Sequence, residues 1–131
     1  MRSDTSSSVI SLQNILEGQC TTLLKEEQIY FAVFINKNGR LVAGAFKPDM
    51  KSVDEFQREL LFMSNVLITS LNKDLDDCLG KLRYVVSKRE NLAMISYSIG
   101  SLLFLVAVDA RLDIDNEAKR IEKTVKNVIP F

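Results

Sequence analysis

The chain has 131 residues, 47% hydrophobic and 26% charged, which fits one globular domain whose core needs neither disulfides nor metals. Lys plus Arg and Asp plus Glu each number 17, so the formal net charge is zero and nothing in the bulk charge draws the chain to nucleic acid or an anionic membrane. With no histidine, Ser-His and Cys-His nucleophiles are excluded and a zinc site lacks its usual ligands.

The opening MRSDTSSS is polar and has no apolar signal core, so residues 1–8 are expected to form a disordered tail ahead of a single domain over 9–131. From Val9 to Lys25, apolar residues at Val9, Leu12, Ile15, Leu16, Cys20, Leu23 and Leu24 recur at helical spacing, with Ser8 placed to cap the start. Ile29 to Ile35 is apolar on both alternating faces, the pattern of a strand covered on both sides. Asn38-Gly39 favours the positive φ angles of a tight hairpin, and Leu41 to Phe46 is the returning strand. Gly39 and Gly44 frame a G-x-x-x-x-G spacing without the Lys-Ser/Thr of a phosphate loop.

After Pro48 and Asp49, the S-x-x-E of Ser52 and Glu55 has the form of a capping box. The helix it opens is expected to reach Leu79, with Gly80 as its stop. At 100° per residue, Val53, Phe56, Leu60, Met63, Leu67, Leu71, Leu75 and Cys78 form one stripe, expected to face the core. Phe62 and Val66 fall on the opposite side, among Glu55, Glu59, Thr69, Ser70 and Lys73. Soluble proteins tolerate two stray apolar side chains; the sharper reading is a second contact surface for a partner.

Leu82 to Ser87 alternates as an edge strand with one wetter face, Leu92 to Tyr97 is the next strand, and Leu102 to Val108 is apolar throughout and so central. The turn between the first two, Ser87 to Asn91, is charged. Lys88, Arg89 and Glu90 suit a solvated hairpin tip or, alternatively, a docking loop. Asp113 or Asp115 can cap a final helix with Ile114, Ala118, Ile121, Val125 and Val128 inward and Glu117, Lys119, Arg120, Glu122, Lys123 and Lys126 toward water.

Chemistry-bearing clusters are few. Cys20 and Cys78 both fall in helical segments and are expected to be buried, reduced thiols. Asp74, Asp76 and Asp77, and also Asp113 and Asp115, sit at helix ends, where solvation and capping account for them; the first group lacks the Gly and distal Glu of a calcium loop. No catalytic, cofactor-binding or metal-binding residue is assigned. The longest apolar run, Leu102 to Val108, is far short of the ~20 residues of a membrane span, so a cytoplasmic protein without membrane insertion is expected.

The order helix, two strands, long helix, three strands, helix predicts an α+β fold: a five-stranded antiparallel sheet ordered 2-1-5-4-3, the long helix on one face and the two terminal helices on the other. This order, with the INKNGRLVAG hairpin (Ile35 to Gly44), the long middle helix and the apolar fifth strand, resembles the roadblock/dynein-light-chain family, akin to profilin and longin domains. The hairpin and the S-K-R-E turn are also similar to those of small archaeal proteins of unassigned role. The resemblance implies a non-catalytic adaptor or regulatory scaffold that needs no cofactor. Its partner would be itself, as a homodimer, or a paralogue, joined through the middle helix and third strand into one continuous sheet, with small Ras-like GTPases among further partners. Carried over by position, the interface falls on Glu59, Phe62, Val66, Thr69, Lys73, Arg83 and Val85. The alternative is a PAS-like small-molecule sensor, which shares a similar sheet but usually places several short helices where this chain has a single long one.

Overall fold

The computed structural model of the protein describes the backbone of residues 2–50 and 53–128 and the side chains of residues 12–50 and 53–126. Helix α1 (Arg2–Leu24) leads into β1 (Ile29–Ile35) and β2 (Leu41–Phe46). Then come α2 (Glu55–Lys73), the single-turn α3 (Asp76–Leu79), β3 (Val85–Lys88), β4 (Leu92–Ile99), β5 (Leu102–Asp109) and α4 (Ile114–Val128). All strand pairs are antiparallel and the sheet order is β2-β1-β5-β4-β3, as the hydrophobic patterning predicts.

Several boundaries differ from expectation. Backbone helix extends back to Arg2, so Ser8 lies inside α1 rather than capping it. The hairpin turn is built by Asn36, whose side-chain oxygen accepts from the amides of Asn38 (2.9 Å) and Arg40 (3.1 Å). Within the turn only Gly39 takes positive φ, at 73°, and the β1–β2 register shifts at Phe34/Ile35. The cap of α2 is Asp54, which accepts from the Gln57 amide at 2.8 Å while Gln57 returns the bond to the Asp54 amide at 3.0 Å. Ser52, the expected cap, lies outside the described residues. The long helix stops at Lys73 and resumes as α3 after Asp74 and Leu75; Gly80, at φ 91°, ends it. The expected strand at Leu82 begins only at Val85, because Leu82, Arg83 and Tyr84 are drawn to helices: the Leu82 amide donates to Asp76, Arg83 pairs with Glu122 and Tyr84 bonds Asp115. Asp113, one of the two candidates, caps α4 by accepting from the Asn116 amide.

Two cores flank the sheet. On one face α1 contributes Leu16, Cys20 and Leu23, and α4 contributes Ile114, Ala118, Ile121 and Val125, against Phe34, Ile95, Tyr97, Phe104 and Val106. Tyr97 ties this layer together by donating its hydroxyl to the Ala118 carbonyl at 2.8 Å. On the other face, Phe31, Val33, Ile35, Met94, Leu103 and Leu105 meet α2, and the one fully buried apolar residue α2 supplies is Phe62. It packs near Phe46 (centroids 6.2 Å apart), which stacks on Phe31 (4.3 Å) and carries the Arg58 guanidinium 4.4 Å above its ring.

The orientation of α2 is therefore the reverse of the expected one. Phe62 is 3% exposed and faces the sheet, whereas Phe56 is 72%, Leu60 60% and Leu71 68% exposed. Asn65 fixes this setting. Its amide donates to the Leu61 carbonyl at 2.8 Å and its oxygen accepts from the Ser96 hydroxyl of β4 at 2.9 Å, so a buried polar pair is satisfied. Phe62→Ala is expected to lower stability by about 3–5 kcal/mol in urea unfolding, the usual cost of emptying a buried Phe site. A near-zero effect would show that α2 faces the other way.

Candidate protein interface

The sequence-derived interface residues divide between inside and outside. Phe62 and Thr69 are buried, Val66 is half-buried against the α2 core, and Val85 is half-buried on β3. Glu59 and Lys73 are exposed. Arg83 turns toward the opposite face, where its guanidinium donates to Glu122 on α4 at 2.6 Å. Phe62 and Thr69 are thus unavailable to a partner, because they already pack on the sheet. In their place, Phe56, Leu60, Leu67, Leu71, Leu75 and Leu79 stand out in solvent along α2 and α3. A row of exposed apolar side chains along one helix face differs from scattered single residues. The stripe was visible in the sequence; its outward direction was not.

The two sheet edges are unequal. On β2, the Gly44 amide donates to the Glu17 carboxylate (3.0 Å) and the Val42 carbonyl accepts from the Gln13 amide (3.1 Å), so α1 side chains occupy that edge. Among the described residues no side chain does this on β3, whose outer backbone groups are open to a further strand. Lys88, Arg89 and Glu90 are all exposed at the tip of the β3–β4 hairpin, which is closed by the Arg89 amide donating to the Leu92 carbonyl at 2.8 Å.

Charged side chains brace the α4 face. Glu122, expected in water, is buried and accepts from Arg83 and from Lys126 (3.3 Å). Arg120 joins Glu117 (3.0 Å) and Glu26 (2.7 Å), tying α4 to the end of α1. The Arg83 hydrogen bond, with a smaller contribution from Lys126, holds the Glu122 carboxyl below the usual range, and Arg120 does the same for Glu117. Cys20 is the buried thiol expected, pushed up to about 12 by burial and then by Glu17, and so is a poor nucleophile. Cys78 is instead exposed on α3, since that turn lies off the sheet. No cluster of three or more His, Cys, Asp or Glu suited to a metal occurs among the described residues, and no helix there is long and apolar enough to cross a membrane.

A family described as a family of unknown function, DUF6659, matches residues 9–130. This chain belongs to that family. No curated protein matches the chain. Among solved structures, it is similar to a Roadblock/LC7 domain from Streptomyces avermitilis, with 14% identity, 86% of this chain and 93% of that one covered, and a TM-score of 0.67. It is also similar to Myxococcus xanthus MglB, with 16% identity, 87% and 91% covered, and a TM-score of 0.68. A third likeness is to an MglB with a tetrameric arrangement, at 11% identity, 94% and 88% covered, and a TM-score of 0.58. The fold of this DUF6659 chain is accordingly the roadblock fold.

Because Glu122 and Glu117 ionise more readily in the folded chain than in the unfolded one, the stability they confer is complete above the unfolded carboxylate range, near pH 4.3 as an approximate value, and is lost as pH falls through the lower folded values. Glu122→Gln is expected to cost about 1 kcal/mol at neutral pH, a modest figure because Arg83 is largely solvated. The gap from wild type should close as acid unfolding is followed from about pH 5 to about pH 2; a gap that persists would mean the ion pair is not its source.

Proposed function

We propose that this protein is a non-catalytic dimeric adaptor or regulatory scaffold, whose outward α2 ridge is covered by a second copy or a paralogue. The observation that carries this is the ridge itself. Burying each large apolar side chain gains roughly 1.5–3 kcal/mol before association costs, so a ridge of six is enough to drive a stable contact. The open β3 edge supports a sheet continued from one chain to the next, while the side chains on β2 discourage growth there. The roadblock fold is in keeping with both.

The further partner fits a small Ras-like GTPase, which rests on the roadblock resemblance. The exposed Lys88, Arg89 and Glu90 tip, held on a short hairpin and bordering a cleft of ≈ 730 Å³ lined in part by Tyr30, Met50, Leu61 and Met94, is the candidate docking loop. A PAS-like sensor is less well supported, because α2 lies across the middle of the sheet face and fills it there with Phe62 and Asn65.

Light scattering of the wild type should give twice the chain mass. Leu60→Glu with Leu67→Glu should give a folded monomer, since both side chains are solvent-exposed within one chain and their lost burial removes roughly 3–6 kcal/mol from association. A wild-type monomer at about 100 μM, well above the Kd of a stable dimer, would sink the dimer reading.

A further inference from the structure

Between α2 and β4 runs a polar seam. Its closed end is the buried Asn65–Ser96 hydrogen bond at 2.9 Å. Four residues along a helix rise ~6 Å and two along a strand ~6.8 Å, so Thr69 and Ser98 are the next facing positions. Those two do not bond each other. They border a solvent-open cleft of ≈ 400 Å³ instead. Thr69 is only 5% exposed and its hydroxyl has no partner among the described residues.

The rest of the lining is chemically mixed. Lys37 enters from the β1–β2 turn and Lys73 from the last turn of α2, and neither takes part in an ion pair among the described residues. Asp74 stands beside Lys73. The Asp74 and Leu75 amides both bond the Asn72 carbonyl, which diverts them from the carbonyls before it, and that end of the helix is partly negative. Val66, Leu102 and Leu103 supply an apolar wall. Two cations with an adjacent carboxylate and a negative helix end do not suit a simple anion. They suit a ligand with both charges, and the volume lies within the range of small-molecule sites.

We propose that this cleft binds a small zwitterion of the α-amino-acid type. Its carboxylate lies between Lys37 and Lys73, and its ammonium is received by Asp74 and the C-terminal carbonyls of α2. The Ser98 hydroxyl completes the polar contacts, and a short aliphatic body rests on Val66, Leu102 and Leu103. Nothing in this assignment depends on the proposed dimer, because the ridge points away from the sheet.

The test uses valine as the probe, with N-acetylvaline and valinamide as analogues carrying one charge each. Amide spectra of the full chain at low ionic strength should show saturable shifts at Ser70, Asp74, Gly100 and Ser101 with valine at up to about 10 mM. Each one-charge analogue should bind about tenfold more weakly, as expected for losing one charge-assisted contact. Lys37→Ala with Lys73→Ala should weaken valine about tenfold while leaving the remaining spectrum unchanged. The proposal is overturned by an absence of saturable shifts, by shifts that survive the double lysine substitution, or by N-acetylvaline binding as well as valine.

Discussion

The way α2 meets the sheet governs the rest of the molecule. A buried Asn is costly unless its amide and its carbonyl are both engaged. Asn65 meets that condition only in one rotational setting, with its oxygen on Ser96 and its amide on the Leu61 carbonyl. That setting turns Phe62 into the aromatic cluster with Phe31 and Phe46, and it turns Phe56, Leu60, Leu67 and Leu71 into solvent. The most hydrophobic face of the helix thereby becomes the outside of the molecule.

The opposite layer works in the usual way. Helices α1 and α4 bury their apolar stripes on the sheet, and Tyr97, Glu122 and Arg120 add hydrogen bonds and ion pairs that fix α4 in place. This asymmetry divides labour between the faces. The α1/α4 layer supplies a complete core within one chain, while the α2 layer supplies a thinner one and an unpartnered ridge. The edges repeat the division, with β2 occupied by Gln13 and Glu17 and β3 open.

Much of the fold was legible from residue order. Strand number, sheet order and the placement of helices on both faces follow from period-two and helical patterns and from the doubly apolar runs Ile29–Ile35 and Leu102–Val108. The cap of α2 lies two residues later than expected because D-x-x-Q at Asp54 and Gln57 competes with S-x-x-E at Ser52 and Glu55, and the two motifs look alike in sequence. Leu82 to Tyr84 alternate like a strand, yet Arg83 and Tyr84 find carboxylates on α4, a contact between positions 31 and 39 residues apart that no local window contains.

The interface shows where sequence reading stops. The sequence by itself determined that the middle helix is two-faced and which residues lie on each face, because a helix's angular geometry is local. It could not determine which face meets the sheet. Ranking faces by hydrophobicity assumes that one chain supplies all the burial, and on that assumption the richer stripe on Phe56, Leu60 and Leu71 would face inward. Only the tertiary structure decided otherwise, because the choice rests on Ser96, a residue of β4 that reaches Asn65 only once the sheet has formed.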